Sequence, residues 1–256
     1  MLSAMTAILT PELVLTVLFI LLGLCMGSFG NVLIFRLPQQ QSVNGRSHCM
    51  RCNRVLHALE LVPVFSFLAL RGRCRTCKVQ LSWQYPLVEL GSALLFLFAI
   101  LEAGFDPLRA TFTAVSLWLL FLIAITDART SLIPDALNLP LLIVGVVAQL
   151  VMHTFDISGI LLGAGFFALQ WLISRGKWVG SGDILLGAGI GALLVSWRSV
   201  VIFLFFSYVI GAAVASVFLL TRRKTLQDSL PFGPFLVFGA FLTLVFGQAM
   251  SVYLVF

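Results

Sequence analysis

About eight stretches of predominantly apolar residues recur along the chain, each near the ~20 residues a helix needs to cross the hydrocarbon core of a bilayer. They run from Leu13 to Phe35, Tyr85 to Ala103, Leu108 to Thr126, Ala136 to His153, Ile157 to Ser174, Ile184 to Ser196, Val200 to Leu220 and Phe232 to Phe256. In lipid, a backbone polar group must find its partner within its own segment, so such stretches fold as helices. The expected fold class is an all-α polytopic membrane protein with about eight transmembrane helices. Composition agrees, because 60% of residues are hydrophobic and 10% charged, which excludes a soluble domain with an ordinary polar surface. The sixth stretch is short and glycine-rich, so its limits are the least clearly marked.

No Lys or Arg precedes the first apolar stretch, whereas a cleavable secretory signal opens with a basic region. Leu13 to Phe35 therefore reads as a retained span. Alternate loops hold Arg36, Arg46, Arg51, Arg54, Arg71, Arg73, Arg75, Lys78, Arg129, Arg175, Lys177, Arg222, Arg223 and Lys224, leaving Arg109 and Arg198 for the other set. Loops rich in Lys and Arg stay cytoplasmic, which puts both termini on the non-cytoplasmic side. The net charge of +6 then reflects topology, and no nucleic-acid partner is expected.

The one sizeable polar stretch, Leu37 to Gln84, carries Cys49-x-x-Cys52 and Cys74-x-x-Cys77. A two-residue gap lets one tight turn aim two thiolates at one ion, and two such turns close a tetrahedral zinc shell. Disulfides are the alternative, but this loop falls in the reducing cytoplasm, where they are uncommon. A closed four-sulfur shell leaves no position for water or substrate, so the expected zinc is structural. His48 and His57 read as solvated loop residues, and Cys25 as a small buried residue of the first span.

Carboxylates in or at the edge of membrane spans are costly and point to function. Asp127 ends the third span in IAITDARTSLIPD, and Asp183 opens the sixth in GSGDILLGAGIG; topology puts both on the cytoplasmic face. Two carboxylates sharing a proton can hydrolyse a peptide bond, one drawing a proton from water while the other polarises the carbonyl. Gly180 and Gly182 leave room for backbone or substrate beside Asp183. A helix cap for Asp183 and a solvated loop position for Asp127 are the alternatives. Asp135 after Pro134 reads as a cap of the next helix that also tunes the site.

In order along the chain come GSFGNVLIFRLP (27–38), the paired cysteine knuckles, LALRGRCRTC, SWQYPLVEL, Asp127 with its downstream IPD, GSGD, and LPFGPFL (230–236). With these the chain resembles the bacterial type IV prepilin peptidases, bifunctional leader peptidases and N-methyltransferases of the GxGD type. The resemblance implies catalytic Asp127 and Asp183 and zinc ligands Cys49, Cys52, Cys74 and Cys77; Gly180, Gly182 and Asp135 are expected from their own chemistry to support the aspartates. It implies cleavage of the basic leader of prepilins or pseudopilins at the cytoplasmic face of the inner membrane. Methylation of the new N-terminal residue follows, with S-adenosylmethionine as donor and Glu89 near the methyl-transfer site; a carboxylate favoured by the helix dipole is the alternative for Glu89.

The implied organisation is a first span (1–36), a zinc-knuckle domain with the methyltransferase region (37–84) and a transmembrane aspartyl peptidase domain (85–256). Leu185 stands where relatives often carry lysine. LPFGPFL is given no chemistry. A leader peptidase without methyltransferase activity, an ion- or proton-coupled transporter and a non-catalytic assembly factor are the rival readings.

Overall fold

The computed structural model describes residues 10–221 and 230–253, with side chains as far as residue 247. Its eight long helices are α1 (Pro11–Arg36), α2 (Gln84–Glu102), α3 (Pro107–Thr130), α4 (Asp135–Val151), α5 (Ser158–Ser174), α6 (Ser181–Leu194), α7 (Trp197–Leu220) and α8 (Gly233–Tyr253). Four of them, α1, α2, α3 and α7, are long and apolar enough to cross a membrane. The others are apolar but shorter; a 17-residue helix such as α4 spans ~26 Å, slightly less than a ~30 Å hydrocarbon core.

Local chemistry sets the helix ends. Thr10 accepts the Leu13 N–H at 3.3 Å, with Pro11 in the first turn. Asp106 accepts the N–H groups of Leu108 and Arg109 ahead of α3, and Ser196 caps α7. The third helix runs past Thr126 to Thr130, so Asp127 lies about a turn inside it. The Asp127 carbonyl accepts the Ser131 N–H at 2.8 Å, and Ser131, with φ of 52°, ends the helix. Arg222, Arg223, Lys224 and the last three residues of the eighth expected span lie outside the described residues.

The chain forms two compact units, Met1–Trp118 and Leu119–Phe256. In the first, α1 and α2 touch through backbone: a Cβ on Gly27 would lie 2.5 Å from Glu89 Cα, and one on Gly23 2.7 Å from Ala93 Cα. Asn31 ties the pair, donating to the carbonyls of Gly27 and Tyr85. Cys25 corrects the expectation of burial: it is exposed.

In the second unit α6 is the buried centre, and its glycines explain how so short a helix is enclosed. Gly187 and Gly191 meet Gly163 and Gly159 of α5 backbone to backbone, while Gly189 receives Leu141 of α4. Gln149 of α4 donates to the Ala192 carbonyl at 2.6 Å. On α8, Gly239 lies against Ser207 of α7.

Candidate functional site

The first unit brings the four predicted cysteines together. The Cys49 N–H donates to the Arg54 carbonyl at 2.9 Å and the Asn53 N–H to the Cys49 carbonyl at 2.9 Å. The same pattern recurs around Cys74, through Val79 at 2.9 Å and Lys78 at 3.1 Å. Asn53 and Lys78 hold matching left-handed positions, φ 52° and 58°, and the bridges His48–Val55 and Arg73–Gln80 close the two turns. The result is one knuckle built twice.

All four sulfurs lie within 4.8 Å of one another, and Cys49 Sγ is 3.8 Å from Cys77 Sγ. A disulfide needs ~2.05 Å. Four sulfurs arranged tetrahedrally at ~2.3 Å from zinc stand ~3.8 Å apart, so the spacing fits that ion. Backbone N–H groups of Cys77 and Thr76 aimed at the Cys74 sulfur lower its pKa to about 6. The Val79 N–H favours the Cys77 thiolate, but burial and the neighbouring sulfurs outweigh it and raise that thiol to about 11. His48 and His57 are exposed. Arg54 pairs with Glu60 at 2.5 Å, which joins the first knuckle to the turn that follows it.

Glu89, on the second turn of α2, is 7% exposed and has no ion-pair partner among the described residues. It accepts the Val64 N–H at 2.7 Å and the Ser28 hydroxyl. Val64 itself, at φ 63° and ψ −50°, centres a γ-turn in which the Phe65 N–H reaches the Pro63 carbonyl at 2.6 Å. A β-branched residue there is strained, and Glu89 holds it.

In the second unit Asp127 and Asp183 are both buried, 5% and 8% exposed, and near enough to interact electrostatically. Each has one carboxylate oxygen fixed by a backbone N–H. Asp183, in the first turn of α6, accepts the Gly180 N–H at 2.8 Å; Gly180 holds the cap position, so Asp183 supplies the reaching-back half of a capping arrangement and is not itself the cap. Asp127 accepts the Gly233 N–H at 2.8 Å, from a residue 106 positions away. The LPFGPFL segment, given no chemistry from the sequence, thus supplies a direct partner of Asp127. A Cβ on Gly233 would sit 2.8 to 3.1 Å from the Asp127 carboxyl. A glycine at a helix start was the available signal.

Asn138 is the other residue missed. Its side-chain amide donates to the Gly182 carbonyl at 3.0 Å, fastening the turn before Asp183 to α4. Gly182 also packs on Ile133, its hypothetical Cβ 3.2 Å from the Ile133 Cβ, whereas Gly180 faces open space apart from Asp183 itself. Asp135 departs from its expected role: Pro134 holds the cap position, no side chain caps α4, and Asp135 is exposed at its first residue. Its carboxylate has no hydrogen bond or ion pair among the described residues. Leu185 is half-buried. Beside the aspartates, Tyr208 lies within electrostatic reach of Asp183 and stacks edgewise on Phe232, 5.2 Å between ring centres.

Comparison with known proteins draws on nearly the whole chain. Residues 21–103 match the bacterial peptidase A24 N-terminal domain, and residues 114–216 match the type IV leader peptidase family. A Burkholderia pseudomallei protein named prepilin leader peptidase/N-methyltransferase is 35% identical over 263 residues, covering 89% of this chain and 84% of its own length. Proteins of that name from Aeromonas salmonicida and Pseudomonas aeruginosa are similar too. The first is 32% identical with 94% of both chains covered; the second is 31% identical with 91% and 90% covered. No solved structure matches this chain. With two family matches in register and relatives aligned over most of their length, the chain belongs to the type IV leader peptidase family.

Proposed function

We propose that this protein removes the basic leader peptide of prepilins or pseudopilins by paired-aspartate hydrolysis and N-methylates the residue it exposes. The observation that carries the first activity is the Asp127–Asp183 pair: two buried carboxylates within electrostatic reach of one another, each with one oxygen held by backbone. The pair shares one proton, since like charges so placed do not both ionise readily. The ionised member takes a proton from water as its oxygen attacks the scissile carbonyl, and the protonated member donates to the carbonyl oxygen. The tetrahedral diol then collapses, the C–N bond breaks, and the leaving amine takes up a proton. Gly233 and Gly180 aim the carboxylates, Gly182 and Asn138 hold the turn that carries Asp183, and Asp135 has at most a supporting role.

Family membership supports the second activity, because the named relatives are N-methyltransferases. S-adenosylmethionine supplies the methyl group when bound. Glu89, a buried carboxylate without a cation of its own, suits the orientation of a cationic amine or sulfonium. Cys49, Cys52, Cys74 and Cys77 hold a structural zinc in the 37–84 domain, between a first span (1–36) and the peptidase domain (85–256). All eight long helices cross the bacterial inner membrane, the shorter ones by local thinning, with both termini outside the cytoplasm. A transporter reading is not favoured, because both aspartates accept backbone amides at helix starts and the relatives are named for leader cleavage and methylation.

The test is cleavage of a membrane-inserted prepilin by purified protein with S-adenosylmethionine, read by product mass. Wild type yields a leaderless, methylated product; folded Asp127→Asn and Asp183→Asn variants yield none. Cleavage by either variant overturns the paired-aspartate mechanism, and an unmethylated wild-type product leaves a peptidase alone.

A further inference from the structure

Around the second knuckle the first unit bears an apolar face that none of its described residues covers. Phe65, Leu68 and Trp83 are 67, 60 and 68% exposed. Phe65 and Leu68 belong to a one-turn helix, Phe65–Ala69, and two contacts fix where it lies. The Val64 N–H donates to the Glu89 carboxylate at 2.7 Å, and the Phe67 ring packs on that of Trp83, 5.0 Å between centres. Trp83 immediately precedes α2, and Glu89 lies only ~8 Å along it. The one-turn helix is therefore fastened beside the opening turns of a candidate membrane span.

On α2 itself, Leu87, Leu90 and Leu94 are 62, 46 and 64% exposed at helical spacing and form an apolar stripe. Behind the one-turn helix a groove of about 420 Å³ is lined by Phe67, Leu68, Arg71, Arg73 and Trp83. Neither arginine has an ion-pair partner among the described residues. Apolar and aromatic tips beside unpaired cations, next to a span, match the headgroup boundary of a bilayer, where aromatic rings settle and arginines reach phosphates. A basic leader peptide would be repelled by the same charges.

We propose that Phe65, Leu68 and Trp83 form a foot that rests in the headgroup–acyl boundary beside α2, with Arg71 and Arg73 on lipid phosphates. The cysteine domain is then a membrane-resting module, held at a fixed height instead of floating on a flexible tether. The inference rests on the reading of α2 as a membrane span, and the experiment separates the two.

Photo-reactive benzoylphenylalanine is placed at Phe65, Leu68, Leu94 and Asn53 in the full chain, reconstituted in vesicles of phosphatidylethanolamine and phosphatidylglycerol and irradiated. Lipid adducts at Phe65 and Leu68 at the level of Leu94, with none at the exposed turn residue Asn53, support the foot. Adducts at Leu94 alone, or protein cross-links at Phe65 and Leu68, overturn it while leaving the span intact. Absence at all three sites removes the span and the foot together. Arg71→Gln with Arg73→Gln lowers the Phe65 adduct; an unchanged yield removes the arginines from the proposal.

Discussion

The cysteine centre and the aspartate centre are built on opposite plans. Each cysteine knuckle is closed by its own few residues: turn, left-handed residue and bridge lie within one short segment, and the second segment repeats the first. The aspartate centre has no such local unit. Asp127 leans on a backbone amide 106 residues away, and the turn bearing Asp183 is tied to Asn138, 44 residues earlier. A local centre fails when one of its ligands fails, whereas a dispersed one fails whenever any of several helices moves.

The largest effect that sharpens this contrast is on the aspartates themselves. Asp127→Asn or Asp183→Asn is expected to lower the rate of leader removal by about 10³-fold or more, in the range that general acid–base groups supply. Bound zinc, measured by metal analysis, stays at the wild-type level. A joint fall in zinc content would break the separation of the two centres.

The converse change is Cys74→Ser. Losing a direct ligand is expected to weaken zinc binding by more than the ~10- to 100-fold that loss of an outer-shell contact costs. Competition with a chromogenic chelator reads the affinity, and limited proteolysis within 37–84 reads the opening of the knuckles. Zinc retained at wild-type affinity would mean that the sulfurs, though 4.8 Å apart or less, do not form one shell.

Gly233→Ala tests the dispersed plan at its least obvious member. The added methyl group falls 2.8 Å from a carboxylate oxygen of Asp127 and must push it aside. Displacement of a catalytic group by about 1 Å costs up to ~100-fold in rate. The expected result is a kcat lower by about 10- to 100-fold with KM nearly unchanged. An unaffected kcat would show that the Gly233 amide does not position Asp127.

What was legible in the sequence follows the same division. Spans with a strong apolar run, such as α1, could be placed within two residues of their ends. The cysteine cluster could be read from spacing because two residues suffice for one turn. Asp127 and Asp183 stood out because charge is rare in an apolar chain, yet their fixing partners did not: a backbone N–H is the same in every residue, and only the surrounding fold shows where Gly233 points. The extension of α3 past Thr126 was hidden because Asp, Arg and Thr look like loop residues, yet the helix runs on to Thr130. Asp135 misled for the reverse reason, since Pro134 took the cap position.

The smallest expected effect probes how self-contained the cysteine centre is. The Arg54 side chain, helped by the His57 N–H, holds the Glu60 carboxyl below its ordinary value of 4.5. A carboxyl whose folded pKa is depressed adds stability that is complete above its unfolded pKa and is lost as pH falls through the folded one. Glu60→Gln keeps the shape but removes the charge. Its cysteine module should therefore unfold at a slightly lower urea concentration than wild type at neutral pH, with the gap closing below pH 4.5. Thiol accessibility reports the midpoint, and zinc loss through thiolate protonation is common to both proteins and cancels in the difference. Because Glu60 lies within the module and not in the helical unit of the aspartates, leader cleavage at neutral pH should hardly change. A gap that persists in acid would assign the stabilisation to packing instead of charge, and a matching fall in cleavage would tie the two centres more closely than their separate construction suggests.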